Sequence, residues 1–343
     1  MKVIPDNAQS IGQRARQEDS FAFSSFDNEA FIQSKGYLTI VADGMGGMTY
    51  GKEASETAVS AFLEYYHNDT QSNHPVELLH HSLHYANKQV RNLALEKNKE
   101  DEMGTTLVAT VIFQDFLYWI SVGDSRIYLF RNGELTQLTE DHQYQNLLYQ
   151  NVMNLTLSKE EADNDPQKRT LTSFIGLKEL LEIDFNIKPI RLRAGDRILL
   201  CTDGLYEYLP ENEIKETLQK QEMFVAKELI NKTLEKNHKH QDNVTVTILT
   251  LVSEIPNETI NTYKTNNESK TNTIINDYSK QAPQKQKFKI TPLFLISIIL
   301  FILLLGIVCY FGFQNGWKLP IEWKFLKQGN NANLIRLSNY YKV

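Results

Sequence analysis

Leu38-Thr39-Ile40-Val41-Ala42-Asp43-Gly44 and Ile198-Leu199-Leu200-Cys201-Thr202-Asp203-Gly204 are two apolar runs that each end in Asp-Gly. Short runs rich in aliphatic and β-branched residues predict strands buried on both faces. The glycine that follows lets the backbone turn or come close to a ligand. Each run therefore delivers a carboxylate to a strand end. Asp19 in Arg16-Gln17-Glu18-Asp19-Ser20, Asp124 in Val122-Gly123-Asp124-Ser125-Arg126 and Asp242 in Gln241-Asp242-Asn243-Val244-Thr245 stand in similar settings. If these carboxylates converge, their repulsion needs a cation to offset it.

Around the two runs the hydrophobic period alternates between helix and strand. Val59, Phe62, Leu63 and Tyr66 form a helical stripe directly after the first Asp-Gly. Val76, Leu79, Leu83, Ala86, Val90 and Leu93 mark a second, longer helix, and both stripes are read as ordinary core faces. From about residue 105 to 139 the pattern turns to strands, with Asn132-Gly133 between two of them as a hairpin signal. Ser158-Lys159-Glu160-Glu161 fits a capping box at the start of a short helix. A last helix around Ala226, Leu229, Ile230 and Leu234 precedes the closing strand Val244-Thr245-Val246-Thr247-Ile248-Leu249. Strands mixed with helix pairs and joined by a hairpin predict an α+β fold with antiparallel sheet, not regular βαβ repetition.

The 343 residues include 36 Lys+Arg against 42 Asp+Glu, a net charge of −6, with no long block of one sign. Nucleic-acid binding through a charged stripe is thereby unsupported. The two cysteines, Cys201 and Cys309, cannot form a disulfide framework, which predicts a reducing, cytosolic setting for the main domain. Met1-Lys2-Val3-Ile4-Pro5-Asp6 leads into no apolar stretch, so no cleaved secretory signal is expected. Residues 1–252 are read as the folded domain, 253–289 as a flexible polar linker, 290–313 as a transmembrane helix and 314–343 as a short tail. Leu293 through Phe313 is uncharged over about 21 residues, ~31 Å of helix, which matches a bilayer core. A buried core helix is the alternative, disfavoured because Leu, Ile and Phe surround the whole circumference. Lys280, Lys285, Lys287 and Lys289 precede the span and Lys318, Lys324 and Lys327 follow it, so orientation rests more on the missing signal than on loop charge. The expectation is a single-pass membrane protein with a cytoplasmic catalytic domain. Trp317 and Trp323 fit a membrane interface or a small extracytoplasmic element.

Asp43-Gly44-Met45-Gly46-Gly47 invites a reading as a phosphate-cradling glycine loop, but it fails on spacing and its leading Asp would repel a pyrophosphate. An Asp beside glycines at a strand end suits a hard divalent cation, with carboxylate and backbone carbonyl as ligands. The chain has no His-x-x-x-His or Cys-x-x-Cys pair, so zinc is disfavoured. The oxygen set Asp43, Asp203, Asp242 and Asp124 points instead to Mg²⁺ or Mn²⁺. Two such ions would lower the pKa of a shared water and aim it at phosphorus. Arg14 fits as the phosphate clamp, since a guanidinium matches phosphoryl oxygens bidentately.

Eight motifs then occur in a telling order: Arg14-Ala15-Arg16-Gln17-Glu18-Asp19, Val41 to Gly47, Met103-Gly104-Thr105-Thr106-Leu107, Val122 to Arg126, Leu138-Thr139-Glu140-Asp141-His142, Leu171 to Gly176, Cys201 to Leu205, and Asp242-Asn243-Val244-Thr245. In this order, over about residues 10 to 250, the chain resembles the type-2C metal-dependent serine/threonine protein phosphatases, and their bacterial branch best. The resemblance implies a sandwich of two antiparallel sheets flanked by helix pairs, with a metal site at one end. It implies that Asp43 bridges two metals, that Gly44 offers its carbonyl, and that Asp203 and Asp242 hold one metal of the pair. Asp19 would hydrogen-bond a metal-bound water, Glu18 would support it, Arg14 would bind the substrate phosphate, and Asp124 with Asp203 would hold a weaker third metal. Ser125, Arg126 and His142 are read as structural.

Three positions depart from the family pattern. Met45 stands where animal relatives carry a histidine proposed as general acid, which leaves that proton transfer to water. Glu207 replaces a frequent Asp, with a longer reach. Gln17 replaces a frequent Asn, a neutral exchange of one amide for another. The stretch from Tyr144 to Arg169 corresponds to the family's flap. The expected function is hydrolysis of phosphoserine and phosphothreonine in proteins, with a Ser/Thr kinase and its substrates as partners. A catalytically silent phosphoprotein-binding module is the competing class, and a membrane sensor with the phosphatase as output is a third reading.

Overall fold

The structure is a computed structural model that describes residues 1–46, 50–72, 74–100 and 102–253. Its chain opens with strand β1 (Lys2–Ser10), β2 (Ser20–Phe23), helix α1 (Glu29–Lys35) and β3 (Tyr37–Ala42), the first of the two apolar runs. A two-residue strand β4 (Gly44–Met45) leads to the long helices α2 (Tyr50–Asn68) and α3 (Pro75–Glu96). Then follow β5 (Gly104–Thr105), β6 (Leu107–Phe113), β7 (Phe116–Val122), β8 (Arg126–Arg131) and β9 (Glu134–Gln137). The flap stretch holds α4 (Tyr144–Met153) and α5 (Lys159–Asn164). The chain returns through β10 (Asp184–Phe185), β11 (Ile190–Arg191) and β12 (Arg197–Cys201), the second apolar run. It closes with α6 (Asp203–Tyr206), α7 (Glu211–Leu218), α8 (Ala226–Glu235) and β13 (Val244–Val252).

The strands build two main antiparallel sheets, in the orders β1-β13-β12-β8-β9 and β10-β7-β6-β3-β2, with β11 also on β7. Between them lie Val41, Val108, Leu117, Ile127, Ile198, Leu200 and Leu249. On the outer face of the second sheet, α2 and α3 cover Leu38, Ile40, Leu107 and Ile120 with Phe62, Tyr66, Leu79 and Leu83. On the outer face of the first, α6, α7 and α8 set Leu205, Ile214, Leu218 and Leu229 against Leu199, Val246 and Ile248. Every central strand is thus covered on both sides, which is why β3 and β12 read as continuous apolar runs. The α+β class and the antiparallel sheets match the expectation.

Local signals also hold. Asn132 (φ 53°) and Gly133 (φ 80°) both take left-handed backbone, and Arg131 pairs with Glu134 across them, the two-residue turn that Asn-Gly predicts. Ser158 accepts from the Glu161 amide while the Glu161 carboxylate accepts from the Ser158 amide, completing the capping box. The linker expected over 253–289, beyond Ser253 itself, and the expected transmembrane helix 290–313 and tail 314–343 lie outside the described residues. Among the described residues no helix is long and apolar enough to cross a membrane.

Phe62 is fully buried under α2, between the helix pair and the sheet. Phe62→Ala should therefore lower the unfolding free energy by about 3–5 kcal/mol, read from urea denaturation midpoints at unchanged slope.

Candidate active site

Asp43 leaves the end of β3 with its main chain held on both sides. Its N–H donates to Thr106 Oγ1 at 2.9 Å, and its carbonyl accepts from Thr105 Oγ1 at 2.7 Å and from the Thr106 amide at 2.9 Å. The backbone is spent on these contacts, so the carboxylate is left for the site. Behind it, Gly44 lies against Gly51 of α2, where an added Cβ would come within 2.6 Å of the Glu18 carbonyl. Asp203 begins α6 directly after β12, and Gly204 presses so closely on the Asn243 carbonyl that no side chain fits between them. Both Asp-Gly pairs need glycine for backbone contact. Asn243 in turn fastens the 11–18 loop: its Oδ1 accepts from the Glu18 amide at 2.7 Å and its Nδ2 donates to the carbonyls of Ile11 and Arg16, each at 2.9 Å. That loop carries Arg14, Glu18 and Asp19.

The carboxylates face one another electrostatically. Burial pushes Asp43 well above the usual carboxylate range, and the charges of Asp19, Asp203, Asp124 and Asp242 push it further. Asp203 is raised well by burial and by Asp124, Glu207, Asp242 and Asp19. Asp19 is pushed up to about 7 by burial, against hydrogen bonds from Thr245 and Thr202 that favour its charged form. Burial raises Asp124 to about 6, opposed by the Gln143 Nε2 donor at 2.6 Å from its Oδ2. Glu18 is raised by burial. Asp19 Oδ1 and Asp203 Oδ1 are buried with no hydrogen-bond partner. Buried acceptor oxygens without donors, beside carboxylates of raised proton affinity, fit a hard divalent cation. Among the described residues no group of three or more His, Cys, Asp or Glu side chains stands ready-made as a metal-ligand cluster.

The remaining expected residues take defined places. Arg14 Nη2 lies 2.5 Å from Asp242 Oδ2 with a side chain 57% exposed, so its guanidinium stands at the open rim. His142 Nδ1 accepts the Gly123 amide at 3.1 Å, and Arg126 binds Asp141 in a fork while stacking 3.5 Å over the Tyr206 ring; both are structural, as expected. Buried Cys201, its thiol pushed up to about 12 by burial, belongs to a core cluster. From the flap, Arg169 pairs with Glu207 at 2.5 Å. Thr202, Thr245, Gln9 and Gln143 escape the sequence reading. The first two sit beside aspartates already singled out, but strand threonines are common and carry no signal of their own.

The family profile described as protein phosphatase 2C matches residues 9–249. Serine/threonine phosphatase stp of Listeria monocytogenes is 33% identical over 236 residues, covering 68% of this chain and 89% of that protein. A solved structure of the Mycobacterium tuberculosis serine/threonine phosphatase PstP/Ppp is 30% identical with a TM-score of 0.60, covering 74% of this chain and 100% of that one. The PstP catalytic domain solved with two manganese ions is 29% identical with a TM-score of 0.57, covering 73% and 99%. The chain belongs to the protein phosphatase 2C family, whose members are metal-dependent serine/threonine protein phosphatases.

Because Asp19 and Asp124 hold protons up to about 7 and about 6, a divalent ion entering the site must displace them. Mn²⁺ titrated calorimetrically at about pH 6 should release protons, so the heat should vary with the ionisation enthalpy of the buffer, and the release should shrink as pH rises through about 7. Without metal, the unfolded chain sheds these protons from near the ordinary 3.8 while the native Asp19 keeps its own to about 7. Stability should therefore fall as pH rises between those values.

Proposed function

We propose that this chain removes phosphate from phosphoserine and phosphothreonine in proteins by direct attack of water, without a phosphoenzyme. The observation that carries the reading is the exposed Arg14 guanidinium at the rim of the buried Asp19 and half-buried Asp43 and Asp203 carboxylates, of which Asp19 and Asp203 each keep a buried, unpartnered oxygen. Asp43 with the Gly44 carbonyl, Asp203 and Asp242 would hold two Mn²⁺ or Mg²⁺ ions, and Asp124 with Asp203 a weaker third. Bound there, such ions lower the pKa of coordinated water and offset the charge of phosphoryl oxygens. Arg14 would leave Asp242 for the substrate phosphate, to which it offers paired donors. Asp19 would orient the attacking water, and Glu18 supports the loop that carries it. The chain offers no histidine after Asp43-Gly44, so the leaving serine or threonine oxygen takes its proton from water.

A silent phosphoprotein-binding module fits less well, because a cluster of mutually repelling buried aspartates lowers stability and serves no purpose in mere binding. The uncharged stretch 290–313 supports a membrane tether through the polar linker 253–289, and the scarcity of cysteines supports a reducing compartment for the domain. A Ser/Thr kinase and its substrates, near that membrane, are the partners this reading expects.

A phosphopeptide assay should show turnover only with Mn²⁺ or Mg²⁺. Asp203→Asn should lose on the order of 100-fold or more while keeping its fold by circular dichroism. Arg14→Ala should lose about 100-fold in kcat/KM. A wild type inactive with every divalent ion contradicts the enzyme reading, and full metal-dependent turnover by Asp203→Asn contradicts the ligand assignment.

A further inference from the structure

We propose that Thr202, Thr245 and Gln9 are positioning residues that tie down one oxygen of Asp19, Oδ2, and so present the other, Oδ1, to the attacking water. This inference rests on the phosphatase reading and concerns residues to which neither the sequence nor the relatives assign a role.

The argument is one of hydrogen-bond polarity. Gln9 Nε2 lies 3.1 Å from the Asp19 carbonyl, which can only accept, so this contact fixes which end of the amide is the donor. The same Nε2 lies 3.0 Å from Thr245 Oγ1 and donates there too. With one of its two lone pairs engaged there, the Thr245 hydroxyl turns its single proton to the Oδ2 of an ionised Asp19, which can only accept, at 2.7 Å. Thr202 is wired in the same sense: its Oγ1 accepts the Thr245 amide at 3.0 Å and its proton goes to Asp19 Oδ2, also at 3.0 Å. For an ionised Asp19 no alternative assignment satisfies all five contacts, because an amide N–H cannot accept and a carboxylate without its proton cannot donate.

Both hydroxyl protons therefore fall on one carboxylate oxygen. Oδ2 is held from two strands, β13 and the end of β12, and the carboxylate cannot rotate without breaking both bonds. Oδ1 is buried and accepts from no protein N–H or hydroxyl, and the Asp19 side chain meets the carboxyl of Asp43. It is the one Asp19 oxygen left for a water in the site. The wiring extends to the exterior: Gln9 is exposed on the edge strand β1, opposite Thr245 in the ladder, so the seating of β1 on β13 reaches the aspartate through one amide. In a well-formed catalytic site the group that orients the nucleophile must be held to within fractions of an ångström, which two fixed donors achieve and one does not.

The test uses the full chain with Thr245→Val, Thr245→Ser, Thr202→Val, Thr202→Ser and Gln9→Ala. Turnover of a phosphopeptide is measured with Mn²⁺, Mn²⁺ affinity is measured by calorimetry, and melting temperature reports folding. Each valine variant should lose about tenfold in kcat with KM and Mn²⁺ affinity within about twofold of wild type, and each serine variant should recover most of the loss. Gln9→Ala, on the surface, should lose less than either valine and in kcat alone. A folded Thr245→Val with kcat within twofold of wild type overturns the inference, as does a serine variant no better than its valine counterpart. Loss of Mn²⁺ affinity in step with kcat also overturns it, because the threonines would then be shaping the metal site. A wild type with no Mn²⁺-dependent turnover overturns the phosphatase reading itself, and this inference with it.

Discussion

Repulsion among buried carboxylates is the constraint on which the rest of this structure depends. Asp19, Asp43, Asp124 and Asp203 lie in one low-dielectric region, where burial raises the proton affinity of each, the charges of Asp19, Asp203 and Asp124 raise that of Asp43 further, and those of Asp124 and Asp19 raise that of Asp203. Without a cation they hold protons, and each held proton is stability lost as pH rises. A protein keeps such an arrangement when an ion repays it. The cation preference and the chemistry follow from that repulsion.

The fold supplies the rigidity that the repulsion demands. Asp19 and Asp43 come from the β2 and β3 side of one sheet, Asp203 and Asp242 from the β12 and β13 side of the other, so the site sits where the two sheets end together. Helices on both outer faces keep those sheets from sliding. Each aspartate is then fixed by its neighbours: Asp43 by Thr105 and Thr106, Asp203 by the contact of Gly204 with Asn243, Asp19 by Thr202 and Thr245. Among the expected residues only Arg14 has a largely exposed side chain.

Much of this was legible before any coordinates. Strands β3 and β12 announce themselves because both their faces are covered, and α2 and α3 because one face only is buried. Asp43 and Asp203 stand out through the glycines after them. Strand β1 was hidden, since Pro5, Asp6 and Asn7 interrupt its apolar pattern; Pro5 is tolerated because β1 is an edge strand. Helix α4 was hidden because Leu148 is its only buried residue, too little for a period. The threonine clamp was invisible for a different reason: its partners lie 183 and 226 residues from Asp19 in sequence, and no local pattern records which strands will end side by side.

The most direct measurement of the central claim is the melting temperature of the wild type and of Asp43→Asn near neutral pH, with and without Mn²⁺. If buried repulsion is what the cation relieves, the metal-free variant melts a few degrees above the metal-free wild type, and Mn²⁺ raises the wild type much more than the variant. A variant that melts below the wild type without metal, with Mn²⁺ moving neither, would contradict the account.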